Sequence, residues 1–469
     1  MKKISWLLCV SILVFSCQDD EFTEQDYINL TYEIDEENLV SDFSITGFTA
    51  DKAFGTNIPN LTDLETAFFG VGNAMFNQTW VSAPASTTSR DGLGPIFNAR
   101  ACATCHLNDG RGEPILETGA ASSGFLLRLS SGNNPITGPI PHATYGDQLQ
   151  DASNLNIEAE GDIAVNFEYI SGAYPDGTTY ELRKPTYTVI NTNYGALSAE
   201  QSPRIGQQLI GLGFIEALSD ASILEYEDEF DTDGDGISGK ANYVWNIAEN
   251  KTTLGKFGWK ANQPTLTQQV SGAFNGDMGL TTTLFPEENC PSGVDCSTIP
   301  NGNNEGEDVE VPDTQLSRMM VYMSSISVPV RRDYDTYDVL KGKELFKNLA
   351  CVNCHVDYYV TGQSEIVPII DNVTIRPYSD FLLHDMGDDL ADDRADFLAT
   401  GNEWRTQPLW GLGMIELVND HTFLLHDGRA RNIEEAILWH GGEAETSKNN
   451  FMNLTATERE QLLSFLNSL

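Results

Sequence analysis

Basic residues are scarce in this chain of 469 residues. Lys and Arg together number 27 against 69 Asp and Glu, a formal net charge of −42. A surface so short of cations cannot neutralise phosphates in number, which excludes nucleic acid as a partner. An acidic face instead suits a basic redox partner such as a small cytochrome, with charge steering the encounter. Apolar runs are short: Ile4–Phe15 is not long enough to span a membrane as a stable helix and, behind Lys2 and Lys3, reads as a signal peptide. Histidine is rarer still, with seven residues beside eight Cys. That scarcity makes their clustering informative.

Four of those Cys and two of the His fall in Cys102-Ala103-Thr104-Cys105-His106 and Cys351-Val352-Asn353-Cys354-His355. In an exported protein, Cys-x-x-Cys-His marks covalent c-type haem attachment. The thiols add to the haem vinyl groups and the adjacent imidazole is held to ligate the iron. A zinc site would need four converging ligands, and a thiol redox pair would not need the His. The spacing therefore predicts two haems, with His106 and His355 as iron ligands. Val14-Phe15-Ser16-Cys17 resembles a bacterial lipobox, so residues 1–17 read as a lipoprotein signal with Cys17 lipidated, and 18–47 as an acidic linker. The expected location is periplasmic, or anchored at the outer membrane or cell surface. Once Cys9, Cys17 and the haem cysteines are assigned, Cys290 and Cys296 remain, and an oxidising compartment predicts a disulfide between them.

The chain also repeats itself. Gly211-Leu212-Gly213-Phe214-Ile215-Glu216 recurs as Gly411-Leu412-Gly413-Met414-Ile415-Glu416, and Gly94…Phe97 before the first haem motif parallels Gly342…Phe346 before the second. The pattern predicts a mainly α protein of two cytochrome-c-like domains, 48–299 and 314–469, joined by a polar linker over 300–313. The first carries a β insertion at about 136–192. Within it, Ile163–Tyr169 and Tyr187–Ile190 alternate as strands, Pro175-Asp176-Gly177 supplies a turn, and the expected role is cover over a haem edge. Near the C-terminus, Thr455 and Glu458 fit a capping box, and Asn432 caps a helix whose apolar face ends at His440. Asp231, Asp233 and Asp235, with Gly236, have the spacing of a calcium loop, although its last position is Asn242 rather than Glu. Ca2+ is the expected occupant. Trp259 and Trp410 are candidates to bridge the haems, against the commoner fate of core packing.

The segments Gly94–Arg100, Phe257–Thr265, Phe381–Gly387 and Leu425–Ala430 resemble the bacterial di-haem oxidoreductase family, labelled peroxidases or thiol oxidoreductases. That family is distantly related to di-haem cytochrome c peroxidases and MauG. The close resemblance runs from about Phe48 onward. It implies electrons passing between two haems and reducing an oxidant, H2O2, at an open iron; the alternative is an electron carrier with both irons six-coordinate. In the wider family the second haem's distal ligand, commonly Met, lies fourteen residues beyond the His of a His-Asp-Gly motif, which here is His440 counted from His426. A bis-His iron sits at lower potential than a His/Met one. The resemblance places His426 and Arg429, with Asp427, beside a haem propionate. For the first haem the distal face is either open or closed by His142 or Met278, and Gln268, Gln269 or Glu216 are the acid/base candidates.

Overall fold

The computed structural model describes residues 36–118, 124–154, 156–303 and 306–469. The signal segment, Cys17 and the linker up to residue 35 lie outside the described residues. From residue 36 the chain is packed: Glu36 is buried and paired with Arg331, at 3.2 Å, and with Lys343.

Each haem motif is backed by the same two-helix clamp. In the second copy, α4 (Tyr337–Asn348) crosses α6 (Ala456–Ser468), the latter started by the expected Thr455–Glu458 capping box. Gly342 permits the crossing, because a Cβ there would lie 2.0 Å from the Gln461 carbonyl oxygen and 2.7 Å from Phe465 Cβ. One turn on, the Phe346 ring stands 6.0 Å from that of His355. In the first copy, α1 (Asp63–Asn77) crosses α3 (Asp313–Ser325). Here a Cβ on Gly72 would lie 2.4 Å from Tyr322 Cβ and 2.6 Å from the Arg318 carbonyl oxygen, and the Phe76 ring is 6.5 Å from His106. The counterpart of Phe346 is thus Phe76 rather than Phe97, which sits in a two-residue strand, Ile96–Phe97. The helix α3, read from sequence as the start of the second half, closes the clamp of the first. The segment before it is held too: Val311 is buried and its N–H donates to the Thr281 carbonyl.

Between clamps the chain is largely extended, and this overturns the mainly α expectation. The fold is mixed, with 29% helix and 19% strand, the strands pairing two at a time. Two runs supply much of the strand. Strands β1 (Phe125–Ser130) and β4 (Glu200–Ile205) pair antiparallel. The expected insertion is a hairpin of β2 (Asp162–Ala173) and β3 (Thr179–Ile190), in register from Asp162 opposite Ile190 to Ala173 opposite Thr179. This hairpin packs at its base on its own half, with the Tyr187 ring 4.8 Å from that of Phe125, and also reaches the other half of the molecule. Arg183 donates to the Gly428 carbonyl at 3.1 Å, the Tyr187 hydroxyl to that of Asp427 at 3.3 Å, and the Tyr174 hydroxyl to Glu434 at 2.7 Å. Helices were overcounted because the stretches between haem motif and Gly-Leu-Gly element have no 3.6-residue apolar period; they fold by packing on the other copy.

The two Gly-Leu-Gly elements interlock. Gly211 and Gly411 both adopt left-handed backbone, φ 71° and 73°. A Cβ on Gly211 would lie 2.4 Å from the Trp410 ring, and one on Gly411 would lie 2.5 Å from Ile210. The residue before each glycine therefore occupies the space the other glycine leaves open. Trp410 is buried core at this crossing. Gly211→Ala and Gly411→Ala should each lower stability by about 1–3 kcal/mol through overpacking, read as urea denaturation midpoints of the holoprotein. Gly177→Ala shares a positive φ but meets open space, and should cost about 1 kcal/mol. Equal losses at all three would assign the effect to backbone strain instead.

Candidate functional site

Two cavities face the two haem motifs. The first is lined by Cys102 and His106, with Phe76 and the stripe Leu266, Val270, Ala273, Phe274 and Asp277 of α2 (Leu266–Met278). The second is lined by Cys351, Cys354, His355 and, from the end of α5 (Ile433–Trp439), His440. The sequence expectation for the second cavity brings its residues together. His355 Nδ1 donates to the Tyr378 carbonyl at 2.8 Å and His440 Nδ1 to that of Ala436 at 2.7 Å. A backbone carbonyl on Nδ1 fixes the tautomer and leaves Nε2 for a metal. Burial lowers both pKa values, that of His355 to about 4, with His440 adding to the effect, so both rings are neutral donors at pH 7. In the first cavity His106 is held the same way, by the Gln207 carbonyl at 2.8 Å. The thiols of Cys102 and Cys351 are pushed up to about 12, chiefly by burial.

Trp259, Gln208 and Arg405 line both cavities and so form the wall between them. Trp259 is fixed by its indole N–H donating to the Ile205 carbonyl at 2.9 Å. Behind it, Gln207 donates to the Gln407 side chain at 2.5 Å, and Arg405 donates to the same oxygen at 2.7 Å. Arg405 and Arg111 are buried, and burial lowers their pKa values to about 9 and about 10. Each keeps a buried Nε without a hydrogen-bond partner. His426 joins them in the wall of the second cavity. Its ring stacks on Trp404 at 3.8 Å, burial lowers its pKa to about 4, and its Nε2, 3.9 Å from Asp427, makes no hydrogen bond among the described residues. Guanidinium and imidazole donors left open around an apolar cavity that holds two imidazoles fit a haem with its propionates. Arg429 is set further back, binding Asp427 at 2.9 Å, and does not line the cavity.

Other expected residues lie elsewhere. Met278 is buried core and lines neither cavity, because one position around α2 from Asp277 turns it away from the stripe. His142 sits in a turn, where its Nδ1 accepts from the Thr144 N–H at 3.1 Å. Glu216 accepts from the Leu266 N–H at 3.0 Å, outside the cavity lining. Gln268 lines the first cavity, but its amide is spent on the Ile247 N–H and the Trp245 carbonyl. Gln269 lines it too. The calcium-loop set divides: Asp228, which spacing did not indicate, joins Asp231 and Asp233 within 4.8 Å. Asp235 accepts from Asn353 of the second haem motif at 2.8 Å, and Asn242 is buried, bonded to the Lys260 and Asp396 carbonyls. Cys290 and Cys296 are disulfide-bonded.

Two carboxylate sites escaped sequence reading. Asp277 is held by Gln148 at 2.9 Å in the first cavity wall, and burial raises its pKa despite that bond. The helical stripe beginning at Leu266 was the available signal. The other is His384, 3.6 Å from Cys354 Sγ, with Nδ1 2.8 Å from Glu443 and Nε2 2.8 Å from Asp380. Burial alone would discharge this imidazole, but the Asp380 charge holds its pKa well above the ordinary value.

The geometry defines a protein with two histidine-anchored cavities sharing one wall. The family described as "Di-haem oxidoreductase, putative peroxidase" matches residues 42–469, and the chain belongs to it. Comparison with curated proteins finds no match.

Burial would raise the Glu443 pKa, but hydrogen bonds from His384 and Ser238 draw it down to about 2. Its contribution is therefore present above the ordinary carboxylate pKa and fades as pH falls toward 2. Glu443→Gln should cost about 1–3 kcal/mol at neutral pH, where a buried charged donor loses its acceptor. The gap to wild type should narrow on acidification, measured by denaturant midpoints; a gap constant with pH would exclude the charged pair.

Proposed function

We propose that the protein binds two c-type haems covalently, through Cys102, Cys105 and His106 and through Cys351, Cys354 and His355, passes electrons between them, and reduces H2O2 at the first. The observation that carries this reading is the asymmetry of the cavities. His440 completes a pair of carbonyl-anchored imidazoles in the second, whereas among the described residues His106 is the sole imidazole lining the first. A haem with a free face supplies the two-electron reduction of peroxide to water, and the protein must supply protons and exclude side reactions. Asp277 is the residue to hold and deliver a proton there, since burial favours its protonated form in the cavity wall. Arg405, Arg111 and His426 would receive the propionates of the second haem, and Trp259, an aromatic ring bordering both cavities, would carry electrons between them. The sequence supports an exported lipoprotein anchored at Cys17, periplasmic or at the outer membrane, fed by a basic small cytochrome.

A second reading has its own observation. Met319 and Met323 of α3 line the first cavity, and a thioether on that iron would leave a pure electron carrier. Low-temperature EPR and optical spectra of the holoprotein, oxidised and half-reduced, separate the two. The peroxidase reading expects one low-spin haem and one high-spin haem whose signal H2O2 alters. His440→Ala should convert the second haem to high spin, and Asp277→Asn should slow peroxide turnover by about 10²–10⁴-fold at unchanged haem content. Two low-spin haems unmoved by reduction or peroxide would sink it.

A further inference from the structure

The two clamps differ at one matched position. In the second copy Phe465 is fully buried, 5.2 Å from Phe346, and closes the crossing over Gly342. In the first copy Tyr322 does so over Gly72. An unsubstituted ring is therefore enough to fill this site, and the Tyr322 hydroxyl is not needed for packing. That hydroxyl donates to Asp109 Oδ1, and both residues are buried. The other oxygen of Asp109 lies against Gly55, 2.6 Å from where a Cβ would be. Among the described residues no Lys, Arg or His forms an ion pair with Asp109, so a carboxyl is buried with a phenol as its side-chain partner. Burying a carboxylate this way is costly, and the second copy does without it.

The phenol is also in ring contact with the haem ligand's neighbour. His106 and Phe76 are 6.5 Å apart, Phe76 and Tyr322 5.5 Å, and Tyr322 and Phe69 4.9 Å, all within the range of packed aromatic pairs. On the same helix, Met319 and Met323 border the first cavity, where a peroxide-derived oxidant would convert thioethers to sulfoxides.

We propose that Tyr322 is a redox-active tyrosine which gives one electron to the peroxide-oxidised first haem centre while its phenolic proton passes to Asp109. The step is balanced. The phenol O–H bond breaks, an O–H bond forms on the carboxylate, the haem centre is reduced by one electron, and a neutral tyrosyl radical remains beside a carboxylic acid. The oxidant is H2O2, so the inference rests on the peroxide-reducing reading. No side chain needs to rotate, since donor and acceptor already share the hydrogen bond. The pair would drain an oxidising equivalent when no reductant arrives and so spare the two methionines.

The test is freeze-quench EPR of the holoprotein mixed with H2O2 without an electron donor, alongside optical spectra of the haems. Wild type should give an organic radical whose splitting collapses when the protein is made with ring-deuterated tyrosine. Tyr322→Phe, which reproduces the Phe465 arrangement, should lose that signal, keep peroxide turnover with an added reductant, and accumulate several-fold more sulfoxide at Met319 and Met323 by mass spectrometry. Asp109→Asn keeps the phenol and should lower radical yield several-fold. A radical insensitive to deuterated tyrosine, or of equal yield in Tyr322→Phe, overturns the proposal. If the haem bands respond to peroxide and no tyrosyl radical forms, this inference alone fails. If the haem bands do not respond, the peroxide reading fails and takes it along.

Discussion

Two glycines without side chains hold the molecule's halves at contact distance. Because Trp410 fills the space over Gly211 and Ile210 the space over Gly411, neither Gly-Leu-Gly element can be repositioned without displacing the other. Residues flanking this crossing build the wall between the cavities: Gln207 and Gln407 bond to each other, Gln208 and Arg405 face both sides, and the Gln207 carbonyl orients His106. The separation of the two cavities is thus set by packing of the scaffold rather than by flexible side chains. Close-packed interiors of this kind transmit small shifts directly.

The polar chemistry is built on the same wall. Buried cations normally come with carboxylates, and Lys260, fully buried, has Asp392 at 2.9 Å. Arg405 and Arg111 are the contrast, with hydrogen bonds mainly to carbonyl and amide oxygens and an Nε left over. Burying a guanidinium without a paired carboxylate is costly, and the donors left open are of the kind a cofactor's carboxylate would satisfy. His384 shows the opposite solution, an imidazole given two carboxylates and placed against Cys354.

What the sequence made legible follows from how local each signal is. The haem motifs, the Cys290–Cys296 loop, the Thr455 and Asn432 caps and the β2–β3 hairpin are written within a few residues or in period two, and could be read directly. The place of His440 came through a spacing shared with relatives, and the structure sets it in the cavity of His355. Phe97 was matched to Phe346 by its distance to the next Cys, while the true match, Phe76, is separated from its motif by an irregular loop. Met278 is a distal candidate in the sequence and Asp277 is not; which of two neighbours faces a cavity depends on the rotation of α2, and that is fixed by packing partners far along the chain. Helix was overestimated for the same reason: extended segments stabilised by the opposite copy carry little local signature.

The β2–β3 hairpin bridges the two halves of the chain: the Tyr187 ring packs 4.8 Å from Phe125 of its own half, while Arg183 reaches the Gly428 carbonyl across 245 residues of sequence. As the chain is made from its N-terminus, the contacts of this two-stranded ribbon with Asp427, Gly428 and Glu434 cannot form until the last quarter has emerged. Contacts so distant in sequence slow folding. The ribbon is therefore fully held only once the second half is in place. Proteolysis or a stalled ribosome ahead of α5 would leave those contacts unmade and one end of the ribbon exposed.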